Sequence, residues 1–150
     1  MDFKEKINAD IVTAMKAKDQ AALRALRAIK SAILLLETSE GRAPGPVSDD
    51  EGMKLLIKQS KQRKDSIEQY RNAGRHDLIA TEEEELAIIE RYLPKALTPA
   101  ELRAEVQKII AEVGATSAKD MGKVMGSANK LLAGRADGKD ISVVVKELLA

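Results

Sequence analysis

Two short stretches near the C-terminus concentrate the residues that could do chemistry. They are Lys119-Asp-Met-Gly-Lys-Val-Met-Gly126 and, shortly after, Gly134-Arg-Ala-Asp-Gly-Lys139. On a helix turning about 100° per residue, Lys123 falls about 40° and Lys130 about 20° from Lys119, so the three lysines form one stripe. Met121, Val124, Met125, Ala128, Leu131 and Leu132 occupy the opposite side, roughly 120–240° away. Gly122 and Gly126 lie at about 300° and about 340°, beside the lysines. A glycine inside a helix costs about 1 kcal/mol relative to alanine, and close approach of another backbone is the usual compensation. The segment therefore reads as a contact surface. Cations on mobile stems around accessible backbone suit phosphate, and Arg135 and Lys139 in the following loop would extend the stripe. Four or five cations imply a modest, salt-dependent affinity. Packing alone explains the same pattern in another way: glycines bring neighbouring helices close, methionines fill a small core, and Asp137-Gly138 makes a turn. Both readings stand at this point.

Other candidates for chemistry are sparse. There is no cysteine, which removes disulfides, thiolate metal sites and cysteine nucleophiles, and suits a reducing cytoplasm. The serines are scattered, and Ser48 and Ser117 read as helix caps. His76, the single histidine, follows the Gly74 turn and reads as a solvent-exposed helix-start residue. A metal site would need several converging ligands, which the spacing does not supply. Glu82-Glu-Glu-Glu85 points around a helix and reads as a solvated face. No catalytic residue, metal or cofactor is expected.

The elements that must position these residues are helical. Ala, Leu, Lys, Glu and Ile dominate, while the 150 residues include one Phe, two Tyr and no Trp. That composition predicts an all-α chain and argues against bases stacked on exposed rings. The length suits one domain or two small ones. A net charge of +1 makes any nucleic-acid contact local. The N-terminus has no signal-peptide pattern, and no run approaches the ~18 apolar residues of a membrane span. A cytoplasmic location is the expectation.

Asp2 with Glu5 resembles a capping pair, followed by Phe3, Ile7, Ile11, Ala14 and Met15 at helical intervals. A break near Lys18-Asp19 precedes a helix over about Ala21–Glu37, with a seam of Ala22, Leu26, Ile29, Ile33 and Leu36. Thr38–Val47, with Gly41, Pro44, Gly45 and Pro46, reads as a mobile loop. Ser48 and Glu51 form a capping box for a long helix that Gly74 ends. Its apolar face is Met53, Leu56, Ile57, Ser60 and Ile67, flanked by Lys54, Lys58 and Lys61. A glutamate-rich helix over about Asp77–Leu93 follows, suggesting a hairpin in which those lysines pair with the glutamates. Pro94 stops that helix, and Thr98-Pro-Ala-Glu101 opens the next. The domain boundary is placed at residues 94–98, separating 1–93 from 94–150. The second part should hold three short helices: Pro99–Val113, Ala118–Ala133 and Ile141–Leu149.

Several motifs now carry a resemblance. Lys61-Gln-Arg-Lys-Asp-Ser-Ile-Glu-Gln-Tyr70, Ala73-Gly-Arg75, Glu90-Arg-Tyr-Leu-Pro-Lys95, the two tail stretches and Val145-Lys-Glu-Leu-Leu149 occur in that order. Over nearly its whole length the chain resembles the YqeY family of small bacterial proteins. Its C-terminal part is also similar to the tail domain of GatB, the tRNA-binding subunit of the glutamine-dependent tRNA amidotransferase. The resemblance implies a helical N-terminal domain of about four helices joined to a three-helix, GatB-like tail. It implies tRNA as partner, with Gly122, Lys123, Gly126, Gly134, Arg135 and Lys139 at the matching positions. The proline-rich Gly41–Val47 loop departs from the family pattern. As a family-level activity the resemblance implies carbon–nitrogen ligation with glutamine as nitrogen donor. The chain itself lacks the cysteine nucleophile or the serine- and glycine-rich amidase stretch that glutamine hydrolysis needs. The expectation is therefore a non-catalytic module bound to tRNA, with a tRNA-handling enzyme as a possible further partner and neither membrane nor DNA. A protein-interaction module and an amidotransferase accessory active only with partner subunits are the alternatives.

Overall fold

The computed structural model describes residues 1–150 and is built from α-helices without a strand. The helices are α1 (Phe3–Ala17), α2 (Gln20–Glu37), α3 (Asp49–Asn72), α4 (His76–Glu90), α5 (Pro99–Val113), α6 (Met121–Leu131) and α7 (Gly138–Leu149), with a 3₁₀ turn at Ala118–Asp120. The chain divides into two compact units, Met1–Leu93 and Pro94–Ala150. No helix is long and apolar enough to cross a membrane.

Local chemistry sets the helix ends of the first unit. The Asp2 carboxylate accepts the Glu5 N–H at 2.8 Å, and the Glu5 carboxylate accepts the Asp2 N–H at 3.2 Å. Ser48 and Glu51 make the same reciprocal pair at the start of α3. Between α1 and α2 the chain turns through Lys18, whose φ of 55° is left-handed, and Asp19 then caps α2 through the Ala22 N–H at 3.1 Å. Gly74, at φ 72°, ends α3 as the sequence predicts.

The first core joins Ile7 and Ala14 of α1, Ala22, Leu26, Ile29 and Ile33 of α2, Leu56 of α3, and Ile88 and Ile89 of α4. Each large aliphatic side chain buried this fully contributes about 1.5–3 kcal/mol of transfer free energy. Met15, read from its spacing as part of the seam, projects into solvent. In α3 the backbone at Gly52 lies against the Phe3 ring, and a Cβ there would sit 2.5 Å from Phe3 Cδ1. This helical glycine has an internal reason.

Two expectations for this unit are corrected. The Thr38–Val47 segment, read as a mobile loop, is held in place. Arg42 binds both carboxylate oxygens of Glu51 (2.7 and 2.9 Å) and donates to the carbonyls of Ala43, Gly45 and Pro46. Val47 is buried, and its N–H donates to Glu37 at 3.0 Å. One guanidinium satisfies the carbonyls that the glycines and prolines leave outside regular structure.

The glutamate tract, read as a solvated face paired with Lys54, Lys58 and Lys61, is solvated only at Glu83 and Glu84 and pairs with arginines instead. Arg63 holds Glu82 and Glu85 at 3.0 Å each, while Arg24 of α2 reaches Glu84 at 2.9 Å and Glu85 at 3.8 Å. Glu85 is buried, and the three lysines are exposed without a salt bridge. Arginine wins because its planar fork can serve two carboxylates at a partly desolvated contact.

In the second unit, α5, α6 and α7 close around one core. It is made of Leu102, Val106 and Ile109, then Val124, Ala128 and Leu132, then Ile141, Val145 and Leu149.

Candidate nucleic-acid interface

The site rests on α6, and local devices fix the chain that leads into it. Thr98 and Glu101 make the capping box that starts α5, and Gly114, at φ 70°, ends it. Asp120 then accepts the N–H groups of Thr116 (2.9 Å) and Ser117 (3.4 Å). These bonds close a 3₁₀ turn over Ala118–Asp120, so α6 begins at Met121 and not at Ala118. After Leu131 the chain leaves the helix, and Gly134 (φ 77°) makes the left-handed turn that directs it to α7.

Several predicted positions change accordingly. Lys119 sits on the 3₁₀ turn, so its helical angle to Lys123 and Lys130 does not apply. The last helix begins at Gly138, after the extended Asp137, and not at Ile141. Lys139 therefore occupies the first turn of α7 and not a loop. Leu131, assigned by the wheel to the core side, is 62% exposed because the helix ends there.

The rest of the wheel agrees with the structure. Val124 and Ala128 are buried, Met121 and Met125 are half-buried against the same core, and Gly122, Lys123, Gly126 and Lys130 are exposed. A Cβ at Gly122 or Gly126 would meet nothing within 4 Å. Neither glycine has a positive φ. Packing within the chain and backbone geometry, the two internal reasons for glycine, are thus both absent.

The electrostatics point the same way. α6 is the one helix of the seven with no Asp or Glu. Lys119, Lys123, Lys130 and Lys139 are exposed. Lys123 contributes to holding the Asp120 carboxyl below its usual range, after the larger effect of the Thr116 and Ser117 N–H groups. Arg135 is half-buried, and its carbonyl accepts the Leu97 N–H at 2.8 Å. Its charge and that of Lys95 reach Glu101, whose carboxyl is lowered mainly by hydrogen bonds from Thr98. Lys95 is thus a cation of this edge that motif reading had not assigned. Its place in the Glu90–Lys95 motif was the available signal. A Cβ on Gly138 would lie 3.7 Å from Asn129 Oδ1, so the start of α7, with Lys139, lies against the C-terminal half of α6.

Elsewhere the chain offers little chemistry. His76 is exposed at the first position of α4. No group of three or more His, Cys, Asp or Glu side chains is placed to hold a metal ion. An open cleft of about 340 Å³ in the first unit is lined by Lys6, Asp10, Arg91 and Tyr92 over Ala14, Leu26 and Ile88. There the Tyr92 hydroxyl donates to Asp10, and the Lys6 ammonium lies 5.6 Å from the Tyr92 ring centre. Burial and that hydrogen bond push the Tyr92 phenol above its ordinary pKa. These contacts tie the end of α4 to α1.

The chain matches the family model described as Yqey-like protein over residues 4–149. Similar curated proteins are fungal and carry the name Altered inheritance of mitochondria protein 41, mitochondrial. The one from Pyrenophora tritici-repentis is 31% identical over 147 residues, covering 96% of this chain and 79% of the relative. That from Lachancea thermotolerans is 33% identical over 116 residues, covering 75% and 60%. A Saccharomyces cerevisiae relative is 33% identical over 97 residues, covering 64% and 51%. The chain thus spans roughly half to four fifths of these relatives' lengths. The expectations of a bacterial family context and a cytoplasmic location are corrected by these matches, which are fungal proteins named as mitochondrial. The family match over almost every residue, with a relative similar along 96% of the chain, shows that this protein belongs to the YqeY-like family.

Proposed function

We propose that the chain is a non-catalytic module that associates with tRNA through α6 and its flanks. Lys119, Lys123, Lys130, Arg135 and Lys139 hold phosphates, Gly122 and Gly126 let the RNA come close, and Gly134 directs the chain between the two parts of the edge. The observation that carries the reading is the pair of exposed glycines with open space above them, in a helix that has cations and no carboxylate. Such a helix forgoes about 1–2 kcal/mol of propensity with no internal gain, which a partner's close approach explains. The similarity of this region to the GatB tail supplies tRNA as the partner. In an amidotransferase that tail touches the body of the tRNA while other domains do the chemistry.

The test is tRNA binding by the wild type and by a Lys123/Arg135/Lys139→Ala variant, at low and at moderate salt. The proposal expects modest wild-type affinity that falls with salt and is largely lost in the variant. Equal binding by both proteins, or none by either, contradicts it. A blank glutaminase assay of the purified chain, with stimulation of a partial amidotransferase, would place the module as an accessory of that enzyme. A protein-interaction module is the second reading. It is favoured by Leu34 and Leu35 near the end of α2, the latter 74% exposed.

A further inference from the structure

We infer that the α6 surface takes the ribose–phosphate backbone of double-helical RNA without regard to sequence. This rests on the RNA-associated reading above and narrows it to one structural class of RNA. Residues 94–150 contain no Phe, Tyr, Trp or His. In the first unit, Phe3 and Tyr92 are packed against the hydrophobic core, and Tyr70 of α3 is half-buried. Single-stranded RNA is held largely by bases stacked on aromatic rings, at about 1–3 kcal/mol per base. The second unit has no ring to offer.

Reading of base edges is equally poorly provided for. Its commonest form uses the two-pronged guanidinium of arginine on guanine. The edge has lysines at 95, 119, 123, 130 and 139 and one arginine, Arg135, which is half-buried with its backbone tied to Leu97. Lysine ammoniums are compact charges that suit phosphate and do not discriminate among bases.

The glycines fit the same ligand. Gly126 lies inside α6, where its N–H belongs to the helical ladder, so the missing Cβ provides proximity and not a free donor. Asn129 is exposed one turn further on and offers amide donors and an acceptor. An A-form duplex displays phosphates and 2′-hydroxyls across a wide, shallow minor groove, which a smooth helix flank can meet. Cations for phosphate, a cleared strip for sugar and a neutral amide for a hydroxyl make a backbone-reading surface.

The test measures binding of the intact chain to five probes. These are two RNA duplexes of unrelated sequence, a DNA duplex of one of those sequences, a single-stranded RNA of equal length, and tRNA. The two RNA duplexes should bind within about twofold of each other, and the DNA duplex and the single strand about tenfold more weakly. Lys123→Ala should lower the slope of log K against log salt by about 1. A Lys54/Lys58/Lys61→Ala variant, which removes charge from α3, should leave that slope unchanged. Tighter binding of the single strand, equal binding of the DNA duplex, or a preference above about tenfold between the RNA duplexes overturns the inference. So does an equal loss of slope in the α3 variant. Binding of tRNA without either duplex overturns the inference and leaves the tRNA reading intact. Absence of binding to every RNA overturns that reading itself.

Discussion

In α3, a Cβ on Gly52 would lie 2.5 Å from the Phe3 ring, whereas in α6 a Cβ on Gly122 or Gly126 would touch nothing within 4 Å. The three glycines share a residue type and a helical conformation, so their intrinsic cost is similar, about 1 kcal/mol each. Only the first cost is offset inside the molecule. The charges divide the same way. Arg24, Arg42 and Arg63 of the first unit are each bonded to carboxylates, while the lysines of α6 are exposed. The difference teaches where to look for function: a feature the fold explains is structural, and one it leaves unexplained faces outward.

The comparison can be broken most forcefully at Gly52. Gly52→Ala drives a methyl into the Phe3 ring, and overpacking of this kind should destabilise the first unit by about 1–3 kcal/mol. A denaturant midpoint shifted upward would show that the ring yields freely. Arg63→Ala comes next. It leaves Glu85 buried with one weaker partner, Arg24 at 3.8 Å, and should cost about 1–2 kcal/mol by the same measurement. The opposite sign is expected in α6, where Gly126→Ala should stabilise by about 0.5–1 kcal/mol, since the added methyl enters open space.

The smallest effect concerns pH. The hydrogen bond from Arg42, then those from Ser48, lower the Glu51 carboxyl from 4.5 to about 2. A folded-state pKa below the unfolded one adds stability that is complete above about 4.5 and is lost as pH falls toward about 2. Arg42→Ala should therefore flatten the acid limb of the thermal stability profile in that window and leave the neutral limb less affected.

Much of this was legible in the sequence where a local rule decides the outcome. The Asp2/Glu5, Ser48/Glu51 and Thr98/Glu101 boxes and the Gly74 and Gly114 stops lie where capping chemistry puts them, because each partner is within four residues. The exposed flank of α6 was legible too, since periodicity within one helix needs no tertiary knowledge. What was missed depends on distant partners. Arg63 and Arg24 outcompete the nearer lysines for Glu82–Glu85, and Arg42 gathers a loop whose composition suggests mobility. The start of α6 failed for a subtler reason. Asp120 bonds backward to Thr116 and Ser117, closing a 3₁₀ turn where periodicity alone continues a helix.

The central claim, that the strip over Gly122 and Gly126 is kept clear for RNA, is tested most directly by filling it without changing charge. Glutamine is a good helix former, neutral and long, so Gly122→Gln/Gly126→Gln should raise the stability of the second unit while obstructing the surface. Thermal stability and tRNA affinity are then measured on the same preparation at moderate salt. The account predicts a higher melting temperature together with a severalfold loss of tRNA affinity. A higher melting temperature with unchanged affinity would contradict it.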